Sequence, residues 1–193
     1  PYGGEDTPGM GLVTPTDIPG IGTPGYPLGL DNFGGDVYSK LIWGARSSLL
    51  VGVISTCIGL VGGMFLGALA GGFGGWVDTV IMRIVDILLS VPNLLMAVSI
   101  AAIAGQSQYA VMIAIGAAQI PVFARLLRSS MLQQRGQDYV LAAQTLGLGR
   151  GKITMSHLLP NSLGPIIVQA TLALATAVID AAALSFLGLG GGV

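Results

Sequence analysis

Three stretches of this sequence contain no Asp, Glu, Lys or Arg: from Arg46 to Asp78, from Asp86 to Arg125, and from Lys152 to Asp180. Each is long enough to hold a helix that crosses a lipid bilayer, which takes about 20 apolar residues. Composition points the same way. Only 9% of the 193 residues are charged and 52% are hydrophobic, whereas a soluble domain carries about 25% charged residues. The mean hydropathy is +0.79. A net charge of -1 excludes nucleic acid as a partner, because phosphate binding needs a basic surface. The single cysteine, Cys57, has no partner for an internal disulfide and reads as a small residue packed within a helix.

Residues 1–30 hold most of the prolines together with many glycines, which disfavour the interiors of regular elements. They predict an irregular extracytoplasmic loop. Residues 31–47 bring Asp36, Lys40, Trp43 and Arg46 together, the pattern of a short interfacial helix. Four spans of membrane length follow, at about 48–71, 79–104, 109–128 and 164–187. The first carries Gly59, Gly63, Gly67 and Gly71 at four-residue spacing, which places them on one face where another helix can approach closely. The second contains Arg83 and Asp86, spaced to pair on one helix face, and Pro92, which interrupts its interior. Gln119, Asn93 and Gln169 are expected to hydrogen-bond between helices.

Arg125, Arg128, Arg135, Arg150, Lys152 and Arg83 fall on one side of this arrangement, and only Lys40 and Arg46 on the other. The excess marks the first side as cytoplasmic. That side includes a polar loop, 129–162, containing "DYVLAAQTLGLGRGKITMSHLLPN". Its Gly-Lys pair is not a phosphate loop, because Leu146 stands where the leading glycine belongs and Ile153 where a hydroxyl residue belongs. Nor do the alternating Gly147, Gly149 and Gly151 fit the dinucleotide pattern. The segment reads instead as a helix with Asp138 near its positive end and Gly147 at its terminus. A second helix is expected from Lys152 to Leu159, stopped by Pro160. Two such helices joined by a glycine elbow form a knob suited to docking another protein.

These residues resemble the EAA loop of ABC-importer permeases. Ala142 and Ala143 are followed by three residues and Gly147, then by nine residues and His157-Leu158-Leu159-Pro160. The flanking stretches, over about residues 27–190, are similar to the dipeptide, oligopeptide and nickel branch of that family. The resemblance implies an all-α, polytopic transmembrane helical bundle with the MetI-like fold. It also implies a non-catalytic permease subunit of the bacterial or archaeal inner membrane. Its implied partners are a homologous permease, two cytoplasmic ATPase subunits and an extracytoplasmic solute-binding protein. No cofactor is expected on this chain, since ATP and Mg would belong to the ATPases, and no metal site is expected. Asp138, Ala142, Ala143, Gly147, His157 and Pro160 are the coupling residues so implied. Two positions depart from the family pattern: Leu141 stands in place of the EAA glutamate, and Gly35 in place of an arginine. The family's six spans exceed the four visible here, so a further span is expected before Pro1 and another after Val193.

Asp180 is the only charge deep in the last span. An ionised carboxylate facing lipid costs about 3 kcal/mol even on forgiving scales, so it is expected to face protein or water, as a residue of the solute path, a partner in a helix-to-helix pair or a residue near the outer interface. His157, the only histidine, lacks companions for a zinc site and fits a docking role. Solute class stays open between peptides and nickel or another small solute. A passive channel or a membrane scaffold would also be compatible with glycine-rich packing helices.

Overall fold

The computed structural model describes residue 28, residues 36–105 and residues 107–189. The expected loop 1–30 falls outside these residues apart from Leu28, as do 31–35, including Gly35. All described elements are helical: α1 (Val37–Phe73), α2 (Gly75–Leu89), α3 (Asn93–Ala104), α4 (Gln108–Arg135), α5 (Asp138–Thr145), α6 (Arg150–Ile153), α7 (Leu159–Asn161) and α8 (Leu163–Phe186), with a π-helical segment, Thr154–Leu158, between α6 and α7. The chain divides into two units, residues 1–49 and residues 50–193.

Within the first unit, Asp36 caps the helix that follows. Its carboxylate accepts from the backbone N–H groups of Tyr38 at 3.1 Å and Ser39 at 3.2 Å and from the Ser39 hydroxyl at 2.5 Å. Those groups satisfy donors that a helix start leaves unpaired. The Ser39 hydroxyl above all, helped by the two amides and opposed by desolvation, holds the Asp36 carboxyl below the usual carboxylate range. Arg46 lies over the Trp43 ring at 5.6 Å. The separate interfacial helix expected over 31–47 is not formed: Val37 to Phe73 is one helix. With the cap in place and no Pro between Val37 and Phe73, nothing in the sequence ends the helix before Gly74.

In the second unit, α1 ends where Gly74 and Gly75 adopt φ of +69° and +59°, conformations that L side chains disfavour. The expected span over 79–104, interrupted at Pro92, is two helices, α2 and α3, bent by 90°. Pro92 causes the break: it cannot donate a helix hydrogen bond and pushes the residue before it out of helical geometry. Ser107 caps α4, its hydroxyl accepting from Ala110 N–H at 3.1 Å. α4 continues seven residues past the expected end of its span, through Arg135. Among the described residues three helices are long and apolar enough to cross a membrane, α1, α4 and α8, or up to four spans if the bent pair counts as one.

α4 is the central helix, the most deeply buried of the three long apolar helices. One apolar cluster joins Val51, Ala97, Ala101, Ile115, Ala177 and Leu184 from α1, α3, α4 and α8. A second joins Phe123, Leu127 and Met131 of α4 to Val140, Ala143, Ile153 and Leu158 of the polar loop and to Ile166 of α8. The loop is therefore packed on the same helix that the membrane core surrounds. Gln119 links α4 to α8, its Nε2 donating to the Ala173 carbonyl at 3.2 Å. Cys57, expected to be packed, is exposed, because the glycine face of α1 takes the inner positions.

Candidate functional site

The polar loop folds into a lobe of two helical arms. α5 opens with Asp138, exposed in its first turn, where negative charge complements the helix dipole. It closes on Gly147 at φ +75°. Gly147 N–H donates to the Gln144 carbonyl at 2.9 Å, and Leu148 N–H to the Ala143 carbonyl at 3.2 Å. This paired closure needs a left-handed residue after the last helical turn, and Leu148 then packs back on the cluster that contains Ala143.

The second arm does not stop before Pro160. It runs through α6, the π-helical segment and α7 to Asn161. A proline in a helix cannot donate to the carbonyl four residues back and crowds it. The wider π turn just ahead of Pro160 accommodates that crowding. The Asn161 side chain donates to the His157 carbonyl at 2.7 Å, and the buried Ser162 hydroxyl to the Leu158 carbonyl at 2.8 Å.

The arms are tied to each other and to their base. Tyr139 of α5 lies 6.5 Å, ring to ring, from the half-buried His157, and its hydroxyl donates to Gln134 Oε1 at 2.7 Å. The inner face, Val140, Ala143, Ile153 and Leu158, is buried. At the foot, Gly72 lies against Thr154, where an added β-carbon would sit 2.8 Å from Thr154 Cγ2. Each exposed large apolar side chain loses about 25 cal/mol for every Å² left in water, yet the outer face shows Leu141 at 50%, Leu146 at 80% and Met155 at 67% exposure, beside the exposed Ala142. Arg150 and Lys152 of the second arm are exposed as well. A packed base with exposed apolar and basic side chains on its outside is suited to docking a protein.

The implied coupling residues thus separate by position. Asp138, Ala142, Gly147 and Pro160 are exposed, His157 is half-buried, and Ala143 is buried in the lobe's core. Leu146 and Met155, the most exposed apolar side chains of the lobe, carry no motif in the sequence; the signal available was an apolar residue placed beside a terminating glycine. Asp180 stands apart on α8, partly buried, and among the described residues it has no hydrogen-bond or ion-pair partner.

Gly59, Gly63, Gly67 and Gly71 are all buried on α1 and face α4. A β-carbon on Gly59 would sit 2.7 Å from Gln119 Cβ, one on Gly67 2.7 Å from the Ala124 carbonyl oxygen, and one on Gly71 3.1 Å from Met131 Cβ. On Gly63 it would overlap Phe123 Cβ and come within 2.8 Å of the Ile120 carbonyl oxygen. Gly116 of α4 returns the fit, with Ile58 Cβ 2.7 Å from its own β position.

The expected pair of Arg83 with Asp86 is not formed. Asp86 pairs with Arg125 of α4, while Asp78 accepts two bonds from Arg128, both 2.6 Å. A guanidinium held in this two-pronged way is better fixed than one in a single contact. Neighbours three apart on one helix have only each other's long side chains to meet, whereas α4 presents its arginines directly across the gap.

Comparison with known proteins places these features in context. Residues 63–193 match the family described as "Binding-protein-dependent transport system inner membrane component". The dipeptide transport system permease protein DppC of Alkalihalophilus pseudofirmus is 46% identical over 163 residues, 84% of this chain and 54% of that protein. A di/tripeptide transport system permease protein of Pseudomonas aeruginosa is 43% identical over 179 residues, 93% of this chain and 59% of that protein. The oligopeptide transport system permease protein OppC of Bacillus subtilis is 38% identical over 84% of this chain and 53% of its own length. The chain therefore spans just over half the length of these relatives. Among solved structures, a chain of the MetNI methionine ABC transporter in inward-facing conformations is similar with a TM-score of 0.68 and 24% identity, over 78% of this chain and 76% of that one. That likeness shows the MetI-like permease fold.

Proposed function

The chain belongs to the family of binding-protein-dependent transport system inner membrane components, and from that premise we propose that it acts as a permease subunit of an ATP-driven importer of di- or oligopeptides. The observation that carries the proposal is the lobe: a body fixed to the end of the central helix, with an apolar outer face turned away from its own core. In this reading Leu141, Ala142, Leu146 and Met155 seat in a cytoplasmic ATPase subunit, one of two. Asp138, Gly147, His157 and Pro160 hold the lobe in shape, and the buried Ala143 anchors it. Closure of the ATPase pair on ATP and Mg, neither bound by this chain, moves the lobe, and α4 passes the movement to the membrane helices. Two discrete arrangements of packed helices then give alternating access.

A homologous permease completes the path across the bacterial or archaeal inner membrane, and an extracytoplasmic solute-binding protein delivers the solute. The names of the relatives support peptides over nickel as the solute class. Asp180 is assigned to the solute path, where its carboxylate can meet the ammonium group of a peptide.

The test is uptake of radiolabelled alanyl-alanine by proteoliposomes holding the full-length permease with its partner subunits. Uptake that requires both ATP and the solute-binding protein is expected. Equilibration without ATP would instead show a passive channel, and ATP-driven uptake of nickel but of no peptide would move the assignment to metal import.

A further inference from the structure

We propose that Arg125, Arg128 and Arg135 of α4 form a clamp that makes α2 follow the lobe and directs its movement into the elbow at Pro92; this rests on the docking role proposed above. The three arginines stand at i, i+3 and i+10, within about 80° of one another around a helix of 3.6 residues per turn. Each holds a different point between the α1–α2 corner and the far end of α2. Arg135, the last residue of α4, donates from Nη2 to the Gly72 carbonyl at 2.6 Å, beside the contact of Gly72 with Thr154 of the lobe. Arg128 grips Asp78 in the first turn of α2, and Arg125 reaches Asp86 near its end.

Two attachments eight residues apart, roughly 12 Å along a helix, set the direction of α2 as well as its position. Little else does so. Val85 is the only residue that α2 buries, and Trp76, Val80, Ile84 and Ile87 are exposed. The ion pairs therefore supply the specific hold on α2 that apolar packing supplies elsewhere in the bundle. Asp86 also lies near the negative end of the α2 dipole, where a carboxylate is unfavourable without a cation beside it.

The chain leaves this clamped helix through Ser90, Val91 and Pro92. There the regular ladder is broken: the Val91 N–H reaches only to the Leu88 carbonyl, at 3.3 Å, and α3 departs at 90°. α3 in turn packs Ala97 and Ala101 into the upper core against α4. A shift of the lobe moves α4 and, through the arginines, α2. The elbow is the nearest place where that movement can become a rotation of α3, since backbone hydrogen bonds resist bending on either side of it. Arg128, held on both prongs and less exposed than Arg125, is the principal positioning residue.

The experiment uses the full-length permease with Cys57 replaced by serine. Spin labels are placed at Ile84 and Leu132 and their separation is measured in nanodiscs by double electron–electron resonance. In the complete transporter, ATP hydrolysed per alanyl-alanine imported is measured in parallel. Arg128→Ala is expected to broaden the Ile84–Leu132 distance distribution and to raise the ATP cost per peptide about fivefold or more, the lower end of typical coupling between sites. The ATPase subunits are expected to remain associated. Exchanging the charges, Asp78→Arg with Arg128→Asp, is expected to narrow the distribution again and restore most of the coupling, which a folding defect would not allow. An unchanged distribution and ratio in Arg128→Ala, or no recovery in the exchanged pair, overturns the clamp. If the wild-type complex binds no ATPase, the docking role fails, while the spin-label arm still reads the attachment of α2.

Discussion

Gly63→Ala is expected to destabilise the bundle, whereas Gly164→Ala is not. Both substitutions add one methyl group to a helical glycine, and intrinsic helix propensity favours alanine at each by about 0.4–1 kcal/mol. At Gly164 the new carbon meets nothing within 4 Å beyond its chain neighbours, so although the following Pro165 trims the propensity gain, no packing cost is added. At Gly63 the same carbon overlaps Phe123 Cβ and presses on backbone atoms, the Ile120 carbonyl oxygen at 2.8 Å and the Ala124 nitrogen at 3.0 Å. Backbone cannot swing aside as a flexible side chain can, so α1 and α4 must separate along the whole glycine face. Overpacking of this kind costs about 1–3 kcal/mol, enough to reverse the propensity gain. Thermal unfolding of the two purified variants in the same detergent decides it; equal midpoints would mean that the α1–α4 contact is looser than its geometry indicates.

The second large effect concerns the lobe. Leu146→Asp and Met155→Asp are each expected to reduce association with the ATPase subunit about tenfold or more, the loss usual when a central apolar anchor of an interface is removed. Neither side chain supports the fold of the lobe, being 80% and 67% exposed, so helix content and melting should stay unchanged. Ala143→Asp would weaken association too, but for another reason. Ala143 is buried among Val140, Ile153 and Leu158, and a charge there would unfold the surface instead of altering it. The outward-facing pair is therefore the cleaner probe, and comparison of binding with melting separates the two causes.

Much of this architecture is legible in the residues. Charge-free intervals mark the apolar helices, and four-residue glycine spacing marks the α1 face that meets α4. The features that escape the sequence share a cause: they depend on which partner lies across a gap. Asp86 has Arg83 beside it in sequence but Arg125 facing it in space. The 90° turn at Pro92 is invisible to hydropathy, because apolar residues continue on both sides of it. Pro160 reads as a stop, yet a π turn ahead of it carries the helix through. In the lobe the motif marks a segment that folds into two helical arms but not which of its side chains face outward. Ala142 and Ala143 are adjacent and identical, and only packing on Phe123 and Leu127 makes one of them core and the other surface. Leu146 and Met155 were harder still, since an apolar residue in so apolar a chain carries no mark of exposure.

The most direct measurement is site-specific photocrosslinking in the full-length permease co-expressed with its ATPase subunits. A benzoyl-phenylalanine replaces Leu146 in one sample and Ile103, 89% exposed near the end of α3, in another. The docking role of the lobe requires an adduct with an ATPase subunit from position 146 and none from position 103. An ATPase that co-purifies but crosslinks from 103, or fails to crosslink from 146, would contradict it.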